Sequence, residues 1–343
     1  MSDKFSLDDV ALSNYLEKNI DGFKGPLTSK KFSDGQSNPT YLLTSADTRY
    51  VLRRKPPGQL LRGAHAVDRE YTVLAALAET DVPVAQVEHL CEDENVIGSM
   101  FYVMEYLDGS VLWDPSLPDH TPEQRTTIYH EMNRRLSDLH KVDVDKVGLS
   151  EFGRKHGYFE RQLKTWTKQY RGAELRHIPE MENLIELLNK TMPQDDGKVS
   201  IAHGDYRLDN LMFNKQEDSI IGLLDWELST IGHPYADLAY QGMLYLMPAN
   251  NDFPGLAGLD HKALGIPTQE EYVAEYCERM GWNGIPDWNF YVAFSLFRLA
   301  AIAQGVEKRG VDGNASSDKA NSYGDLVTDI AKLALHAAHS KSF

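Results

Sequence analysis

The most informative segment for the fold is IAHGDYRLDNLMF at residues 201–213, followed by LLDWE at residues 223–227. β-prone apolar runs flank a polar turn at 214–219, and this pattern predicts a β-hairpin. Asn210 directly precedes the first predicted strand, and Asp225 directly follows the second. Because a hairpin brings its two outer ends together, we expect Asn210 and Asp225 to be neighbours in space.

The polar residues around this hairpin suit a metal-dependent transfer of phosphate. One carboxylate, from Asp225, and one amide oxygen, from Asn210, leave room for water and substrate phosphates, as Mg²⁺ sites in proteins usually do. Asp205 follows a short apolar run on a glycine-bent loop and adds a second carboxylate. These groups are the minimum that phosphoryl transfer to a hydroxyl needs.

The segment HGDYRLDN at 203–210 resembles the H-x-D-x-x-x-x-N catalytic loop of aminoglycoside phosphotransferases and other kinase-like small-molecule kinases. Asp225 resembles the metal-binding aspartate that protein kinases carry in D-F-G. The similarity extends over most of the chain, from Ser29 to Tyr245. Three segments are similar to the subgroup whose phosphotransferase domain is fused, in some proteins, to an acyl-CoA dehydrogenase: SDGQSNPT (33–40), VLRRKPPG (51–58) and HAVDREY (65–71).

The resemblance implies a role for each residue of this loop. Asp205 would orient the substrate hydroxyl and accept its proton, while Asn210 and Asp225 would hold Mg²⁺. Arg207 is a candidate for stabilising charge on the transferred phosphate, with a salt bridge as its alternative role. His203 is expected to support the loop rather than take part in the chemistry.

The resemblance also implies ATP as the phosphate donor. Glu70, on a predicted helix, resembles the kinase glutamate that pairs with a phosphate-binding basic residue. Arg53 is its expected partner, but Arg54 and Lys55 are adjacent and the choice among the three stays open. An arginine fork and a lysine point charge would hold phosphates differently.

Further contacts are expected around the nucleotide and the loop. Ser37 and nearby backbone N–H groups would contact phosphates, since the segment has one glycine and not a full G-x-G-x-x-G. The backbones of Glu105 and Leu107, in a hinge at about 104–108, would hydrogen-bond adenine. Asp237 resembles the helix acid that braces the catalytic loop in this family.

Periodicity outside the motif divides the chain into two parts. Residues 1–108 have short β-prone runs around one helix, whereas residues 109–343 are mostly helical and carry the hairpin. We therefore predict an α+β protein. The resemblance implies a protein-kinase-like two-lobed fold: a small antiparallel-sheet N-lobe that binds nucleotide, with one main helix, and a larger, mostly helical C-lobe for catalysis and substrate binding.

The helices of the second part have recognisable starts. Thr121 with Gln124, and Thr268 with Glu271, have the spacing of capping boxes. Further helices are predicted near 158–171, 180–191, 287–306 and 318–338.

The composition limits the partners. The chain has 343 residues, 35 of them Lys or Arg and 51 Asp or Glu, for a formal net charge of −16. Phosphate affinity needs clustered basic residues, so we expect neither a nucleic-acid surface nor an anionic-membrane surface. The N-terminal segment has acids and no apolar core, and no long uninterrupted apolar run occurs, so a cytoplasmic location is expected. The oligomeric state is left open.

The acceptor is the least determined part of the prediction. Residues 1–108 hold 11 basic and 17 acidic residues and the remainder 24 and 34. Per residue, the predicted substrate lobe is therefore no more acidic than the first part, which weighs against a polycationic acceptor. The subgroup resemblance implies a hydroxylated acyl chain, with hydroxyacyl-CoA as one candidate. Aminoglycosides, choline-like compounds, sugars and other small alcohols stay as alternatives. Residues 247–267 have little periodicity, and we expect a substrate lid there.

Two other functions are compatible with the same residues. A nucleotide-binding pseudokinase module would keep the fold without turnover, because fold does not guarantee chemistry. A metal hydrolase would use Asp205, Asp225 and His203. Because Asp205, Asn210 and Asp225 are all present, a working kinase is favoured over both the pseudokinase and the hydrolase.

Overall fold

The computed structural model describes residues 6–32, 38–46, 48–56, 66–249, 254–312 and 323–340. Contacts within the chain divide it into two compact units. The first unit comprises Met1–Ser110 and Leu211–Ser229, and the second comprises Val111–Asn210 and Thr230–Phe343.

The strands and helices follow one another along the chain. The strands are β1 Leu27–Lys31, β2 Thr40–Ser45, β3 Thr48–Arg54, β4 Val87–Cys91, β5 Phe101–Glu105, β6 Gly109–Val111, β7 Ser200–Ala202, β8 Leu211–Asn214, β9 Ile220–Leu223 and β10 Thr230–Gly232. The α-helices are α1 Asp9–Asn19, α2 Val67–Leu77, α3 Pro122–Lys141, α4 Tyr158–Gly172, α5 Pro179–Lys190, α6 Tyr235–Gly242, α7 His261–Leu264, α8 Gln269–Met280, α9 Trp288–Val311 and α10 Tyr323–His339.

The first unit is built on an antiparallel sheet with strand order β1-β2-β3-β5-β4. Three of the β-prone runs predicted for this part of the chain, at 41–44, 50–52 and 101–104, lie in strands β2, β3 and β5. Along β2, buried Tyr41 and Leu43 alternate with less buried neighbours, as expected of a strand with one face on a core. The antiparallel sheet predicted for this part of the chain is therefore confirmed.

Two helices accompany this sheet in the first unit. The predicted helix is α2, and its buried face includes Glu70 together with apolar residues. The other helix, α1, was not predicted; it begins after Asp8 caps the backbone N–H groups of Val10 and Ala11. α1 contributes Leu12 and Leu16 to the core of the sheet. Its two-residue apolar stripe among polar residues is too weak a periodic signal to predict a helix.

The predicted hairpin is formed by β8 and β9, which pair antiparallel with Leu211 opposite Leu223. Its place in the chain differs from the prediction, which assigned it to the mostly helical part. By contacts it belongs to the first unit. The reason is that β8 also joins β6 in a three-stranded sheet, and the N–H of Leu223 donates to the carbonyl of Pro83 at 2.8 Å.

The second unit is mostly helical, as predicted. Both capping boxes are present: the side chains of Thr121 and Thr268 accept from backbone N–H groups at the starts of α3 and α8. α9 packs against α4, α5, α6 and α10. β7 and β10 form a separate two-stranded sheet.

One described helix, α9, is long and apolar enough to span a membrane by length and composition alone. In the structure, 78% of that apolar window is buried inside the protein. The apolar character of α9 is thus accounted for by its position at the centre of the helical unit.

The predicted lid segment, 247–267, is partly regular. Of its residues, 250–253 lie outside the described part of the chain. Pro248 forms an isolated bridge with Ala257, and α7 occupies His261–Leu264. Leu256 is fully buried, so the described part of this segment is anchored to its own unit by apolar burial.

Candidate functional site

In the first unit, Arg53 on β3 lies among three carboxylates. Its Nε atom is 2.8 Å from Oε2 of Glu70, and its Nη2 atom donates to Oδ1 of Asp225 at 2.7 Å. Glu227 follows at 3.9 Å from the same Nη2 atom. We call these four residues the Arg53 cluster. With one cation and three acids, the cluster carries an excess of negative charge.

Of the three adjacent basic residues Arg53, Arg54 and Lys55, Arg53 is the one that pairs with Glu70. Arg54 points away from the cluster and is 3% exposed. Its Nε donates to the Ser99 hydroxyl at 2.9 Å. The Nζ atom of Lys55 lies 3.5 Å from Oδ1 of Asp68. The alternation of side chains along β3 separates Arg53 from Arg54.

Glu70 is held by a complete set of donors. The Nδ2 group of Asn38 donates to its Oε1 at 2.6 Å, and the hydroxyl of Tyr102 donates to its Oε2 at 3.1 Å. Burial raises the pKa of Glu70 to about 7, against the lowering effect of Arg53. Burial also disfavours the charge of Arg53, but the surrounding carboxylates more than compensate and raise its pKa above the ordinary value.

Asp225 adopts an uncommon backbone conformation, with φ 60° and ψ 66°. Few residues other than glycine adopt this left-handed region, and Asp is one that tolerates it. It directly precedes the 3₁₀ turn Trp226–Leu228. Such strained positions cluster at ligand-binding sites, which is consistent with the role predicted for this carboxylate.

The predicted hinge residues lie at the end of β5 and just beyond it. The N–H of Glu105 donates to the carbonyl of Gln86 at 2.9 Å, so it is engaged within the sheet. The side chain of Leu107 packs on Gly222, where a Cβ atom would overlap it. Ser37, predicted to contact phosphates, lies outside the described residues.

In the second unit, the loop 203–210 follows β7 and is fixed to α6 by one buried acid. Asp237 accepts from the N–H groups of His203 at 2.7 Å and Gly204 at 2.8 Å. Its Oδ2 also lies 3.2 Å from Nε2 of His140. Burial alone would raise the pKa of Asp237, but the hydrogen bond and charge of His140 hold it below its usual value. The bracing contact implied by the resemblance is present.

Within this loop, Asp205 and Asn210 are in direct contact. The Nδ2 group of Asn210 donates to the backbone carbonyl of Asp205 at 2.8 Å and to its Oδ2 at 2.9 Å. Because Nδ2 is engaged, the amide oxygen of Asn210 faces away from Asp205 and is free to act as a metal ligand. The backbone N–H of Asp205 donates to Nδ1 of His203 at 3.2 Å, which agrees with a supporting role for the histidine.

Arg207 has an ionic partner within the same loop. Its Nε donates to Oδ1 of Asp209 at 2.9 Å, and its Nη2 pairs with the second oxygen of that carboxylate. Nε also lies 4.0 Å from Oδ1 of Asp205. Of the two predicted roles, the structure shows the salt bridge, and the cation stays beside Asp205 as well.

Tyr240 is a further residue near this loop that was not predicted from the sequence. Tyr240 is 2% exposed, and burial together with the charge of the nearby Asp205 carboxylate raises its pKa. The available signal was its position on α6, one helical turn after Asp237, which places both side chains on the same face of the helix.

Beside the 203–210 loop, the second unit contains a cavity of about 370 Å³. Its walls are mainly apolar, and Arg207 and Asp209 supply the charged groups. The lining residues are Trp113, Pro115, Arg207, Leu208, Asp209, Met243, Leu244, Met247, Pro254 and Leu299. Trp113 is 65% exposed, so it forms an open part of the cavity wall.

The candidate residues are thus distributed over both units. The first holds Arg53, Glu70 and Asp225, and the second holds Asp205 and Asn210. The expected approach of Asn210 to Asp225 stays a prediction.

Comparisons with known proteins agree on a family. The profile described as the phosphotransferase enzyme family matches residues 28–276. Acyl-CoA dehydrogenase family member 10 of Mus musculus is 47% identical over 336 residues, which is 96% of this chain but 31% of the mouse protein. The chain therefore spans about a third of the length of that relative.

Solved structures give the same result. A protein of Ralstonia eutropha JMP134, described as a candidate aminoglycoside phosphotransferase, is 48% identical, with a TM-score of 0.89 over 97% of this chain and 98% of its own. Choline kinase of Cryptosporidium parvum Iowa II is 13% identical, with a TM-score of 0.61 over 96% and 97% of the two chains. The second likeness concerns the fold alone and confirms the predicted kinase-like class.

Proposed function

The chain belongs to the phosphotransferase enzyme family, and on that basis we propose that it transfers the γ-phosphate of ATP, with Mg²⁺, to the hydroxyl group of a hydroxylated acyl compound such as a hydroxyacyl-CoA. Membership makes it a small-molecule phosphotransferase with an alcohol group as acceptor. The donor, the metal and the acyl acceptor are the proposal.

The observation that carries the proposal is the fixed position of Asp205. Its carboxylate accepts a hydrogen bond from Asn210 and lies near the Tyr240 hydroxyl, and its loop is tied to Asp237 by two backbone hydrogen bonds. A general base is effective when its geometry is set before the reaction. A loop aspartate that only capped a turn would not need contacts from both its own loop and α6 to hold it.

We assign Asp205 as the acceptor of the hydroxyl proton. As the acceptor oxygen forms its bond to the γ-phosphorus, the bond from that phosphorus to the bridging oxygen of ADP breaks, and the proton passes to Asp205. The cation of Arg207, oriented by Asp209 and close to Asp205, stabilises the negative charge of the transferred group.

Asn210 and Asp225 are the proposed metal ligands. The amide oxygen of Asn210 is not used by its contact with Asp205, and Asp225 shares only one carboxylate oxygen with Arg53. Two protein oxygens suit Mg²⁺, which keeps waters and substrate phosphates as its other ligands. When bound, the ion would neutralise charge on the phosphates. Arg53, fixed by Glu70, is the proposed contact to the nucleotide phosphates.

The acyl acceptor is supported by the cavity beside the 203–210 loop. A polyamine would require free carboxylates, but the one carboxylate in the described lining, Asp209, already pairs with Arg207. The remaining described lining is apolar apart from these two groups and suits a hydrocarbon chain. The relation to a protein named for acyl-CoA dehydrogenation supports the same class of substrate.

The test is ATP consumption with purified protein and Mg²⁺ across matched panels of hydroxyacyl-CoAs, free hydroxy acids, aminoglycosides and choline. We expect turnover with hydroxylated acyl compounds, with the product identified by mass spectrometry as a phosphate ester. An Asp205→Ala variant serves as the inactive control. Turnover of aminoglycosides alone would overturn the acyl assignment. ATP binding without turnover of any acceptor would favour a nucleotide-binding module.

A further inference from the structure

Arg298, in the middle of α9, is a buried cation with an unsatisfied hydrogen-bond donor. It is 7% exposed, and its enclosed Nε–H has no acceptor among the described residues. Its contacts are two aromatic rings: the guanidinium carbon lies 5.4 Å from the ring centre of Trp166 and 5.0 Å from that of Tyr240. In the described part of the chain, no carboxylate forms a salt bridge with it.

The other buried arginines show how unusual this is. Arg54 donates from Nε to the Ser99 hydroxyl at 2.9 Å. Arg125 donates to the carbonyls of Leu117, Pro118 and Leu264. Each satisfies its guanidinium with oxygen, and Arg298 alone of the three does not. Removing a charge from water without hydrogen bonds is costly, and contact with aromatic faces recovers only part of that cost.

The position of Arg298 relates it to the reaction. Tyr240, whose ring lies against the guanidinium, is close enough to Asp205 that burial and the charge of this carboxylate raise the pKa of Tyr240. A single tyrosine side chain thus lies between the cation and the carboxylate proposed to accept the hydroxyl proton. The next residue on α9, Leu299, lines the cavity beside the 203–210 loop.

We propose that Arg298 binds an oxyanion of the acceptor, so that the preferred acceptor is an anionic hydroxy compound rather than a neutral or cationic alcohol. This inference rests on the proposed function, because it assigns part of the acceptor to the same site. An oxyanion would supply the acceptors that the protein leaves out, and a bidentate, charge-assisted pair is the strongest contact that a guanidinium makes.

Two groups could supply the oxyanion: the carboxylate of a free hydroxy acid, or a phosphate of coenzyme A. Because so few atoms lie between Arg298 and Asp205, the anion should be close to the reacting hydroxyl. This favours the carboxylate, since the phosphates of a CoA thioester are separated from the acyl chain by the long pantetheine arm.

The experiment compares three forms of one acyl chain: the free hydroxy acid, its methyl ester and its CoA thioester. For the wild type we expect kcat/KM to be higher for the acid than for the neutral ester by about tenfold to a hundredfold. Arg298→Met should remove most of this preference by raising KM for the acid, with little effect on the ester. If the thioester behaves like the acid, the anion is a CoA phosphate.

Controls separate binding from structural damage. Arg298→Lys keeps the charge and should retain part of the preference, and Arg309→Met changes an exposed arginine on the same helix and should change nothing. Equal losses for acid and ester in Arg298→Met would mean that the arginine only packs against Tyr240, and would overturn the proposal. If Arg298→Met does not fold, an equal preference of the wild type for acid and ester would likewise overturn it.

A binding measurement keeps this test independent of turnover. The free acid should raise the Tm of the wild type more than its methyl ester does, and Arg298→Met should abolish the difference. If no acceptor is phosphorylated but the acid still binds through Arg298, the proposed function fails and the anion site stands. If acids and neutral esters are phosphorylated equally well, the proposed function stands and the anion site at Arg298 fails.

Discussion

The Arg53 cluster and the 203–210 loop differ in their balance of positive and negative charge. In the cluster, one arginine lies among three carboxylates, so negative charge is in excess. In the loop, Arg207 is paired with Asp209, and Asp205 accepts a hydrogen bond from Asn210 and lies near the hydroxyl of Tyr240. The first arrangement attracts a further cation, while the second holds a single carboxylate in a fixed position.

The difference predicts that substitutions in the two regions will have different signatures. A residue in the cluster should affect the affinity for metal and nucleotide, because the cluster supplies charge. A residue in the loop should affect the rate of transfer with affinity unchanged, because the loop supplies orientation. A substitution of Asp237, which holds the loop in place, should lower the stability of the fold.

The largest effect is expected from Asp205→Asn. The amide keeps the size of the side chain but cannot accept a proton, so kcat should fall by about 10²–10⁴-fold. Nucleotide affinity, measured by fluorescence titration, should stay unchanged. Asp119→Asn, at an exposed position of the same unit, is the control. A variant that keeps its kcat would show that the loop does not perform the proton transfer.

Asp237→Asn should destabilise the second unit by about 2–4 kcal/mol. The substitution leaves buried donors of the 203–210 loop without their charged acceptor. The measurement is urea unfolding followed by tryptophan fluorescence.

The pH dependence of this effect has a definite sign. The pKa of Asp237 is lower in the folded protein than in the unfolded chain. Its contribution to stability is therefore complete above the unfolded pKa and is lost as the pH falls through the folded value. The free energies of unfolding of wild type and variant should converge on acidification, and a difference that does not depend on pH would contradict this account.

Asp225→Asn should weaken Mg²⁺-dependent nucleotide binding by about tenfold to a hundredfold, because it removes an anionic ligand and a partner of Arg53. Titration of nucleotide at several Mg²⁺ concentrations measures this effect. Glu227→Gln, which changes a charge 3.9 Å from Arg53, should have the smaller effect. Equal effects of both substitutions would mean that the cluster acts through total charge alone.

The smallest effect is expected from Arg53→Lys, which should lower nucleotide affinity by about threefold to tenfold. A lysine keeps the positive charge but cannot hold Glu70 and Asp225 with two separate nitrogens, as the fork of Arg53 does. The same titration measures it, with Lys55→Arg as the matched control just beyond the same strand. An unchanged affinity would show that the fork is not required.

Contacts between residues that are neighbours along the chain could be predicted from the sequence. The loop 203–210 brings Asp205, Arg207, Asp209 and Asn210 together within eight residues, so their contacts follow from local geometry. The pairing of Arg53 with Glu70 and the brace by Asp237 came from the resemblance, and both contacts are present.

Other features could not be predicted from local patterns. α1 has too short an apolar stripe to be recognised, yet Leu12 and Leu16 are completely buried against the sheet. The hairpin has a clear sequence signal, but the signal does not reveal that β8 joins β6 and so belongs to the first unit. In both cases the deciding contacts join residues far apart in the chain.

The amino-acid sequence alone was sufficient to identify the family, the kinase-like class and the polar residues expected to carry out phosphate transfer. Tertiary structure was needed to show that Arg53, and not Arg54 or Lys55, pairs with Glu70, and that Tyr240 contacts Asp205. It was also needed to reveal Arg298 as a buried cation between two aromatic rings. The division arises because a motif encodes neighbours along the chain, whereas burial and the supply of hydrogen-bond partners depend on how distant helices pack together.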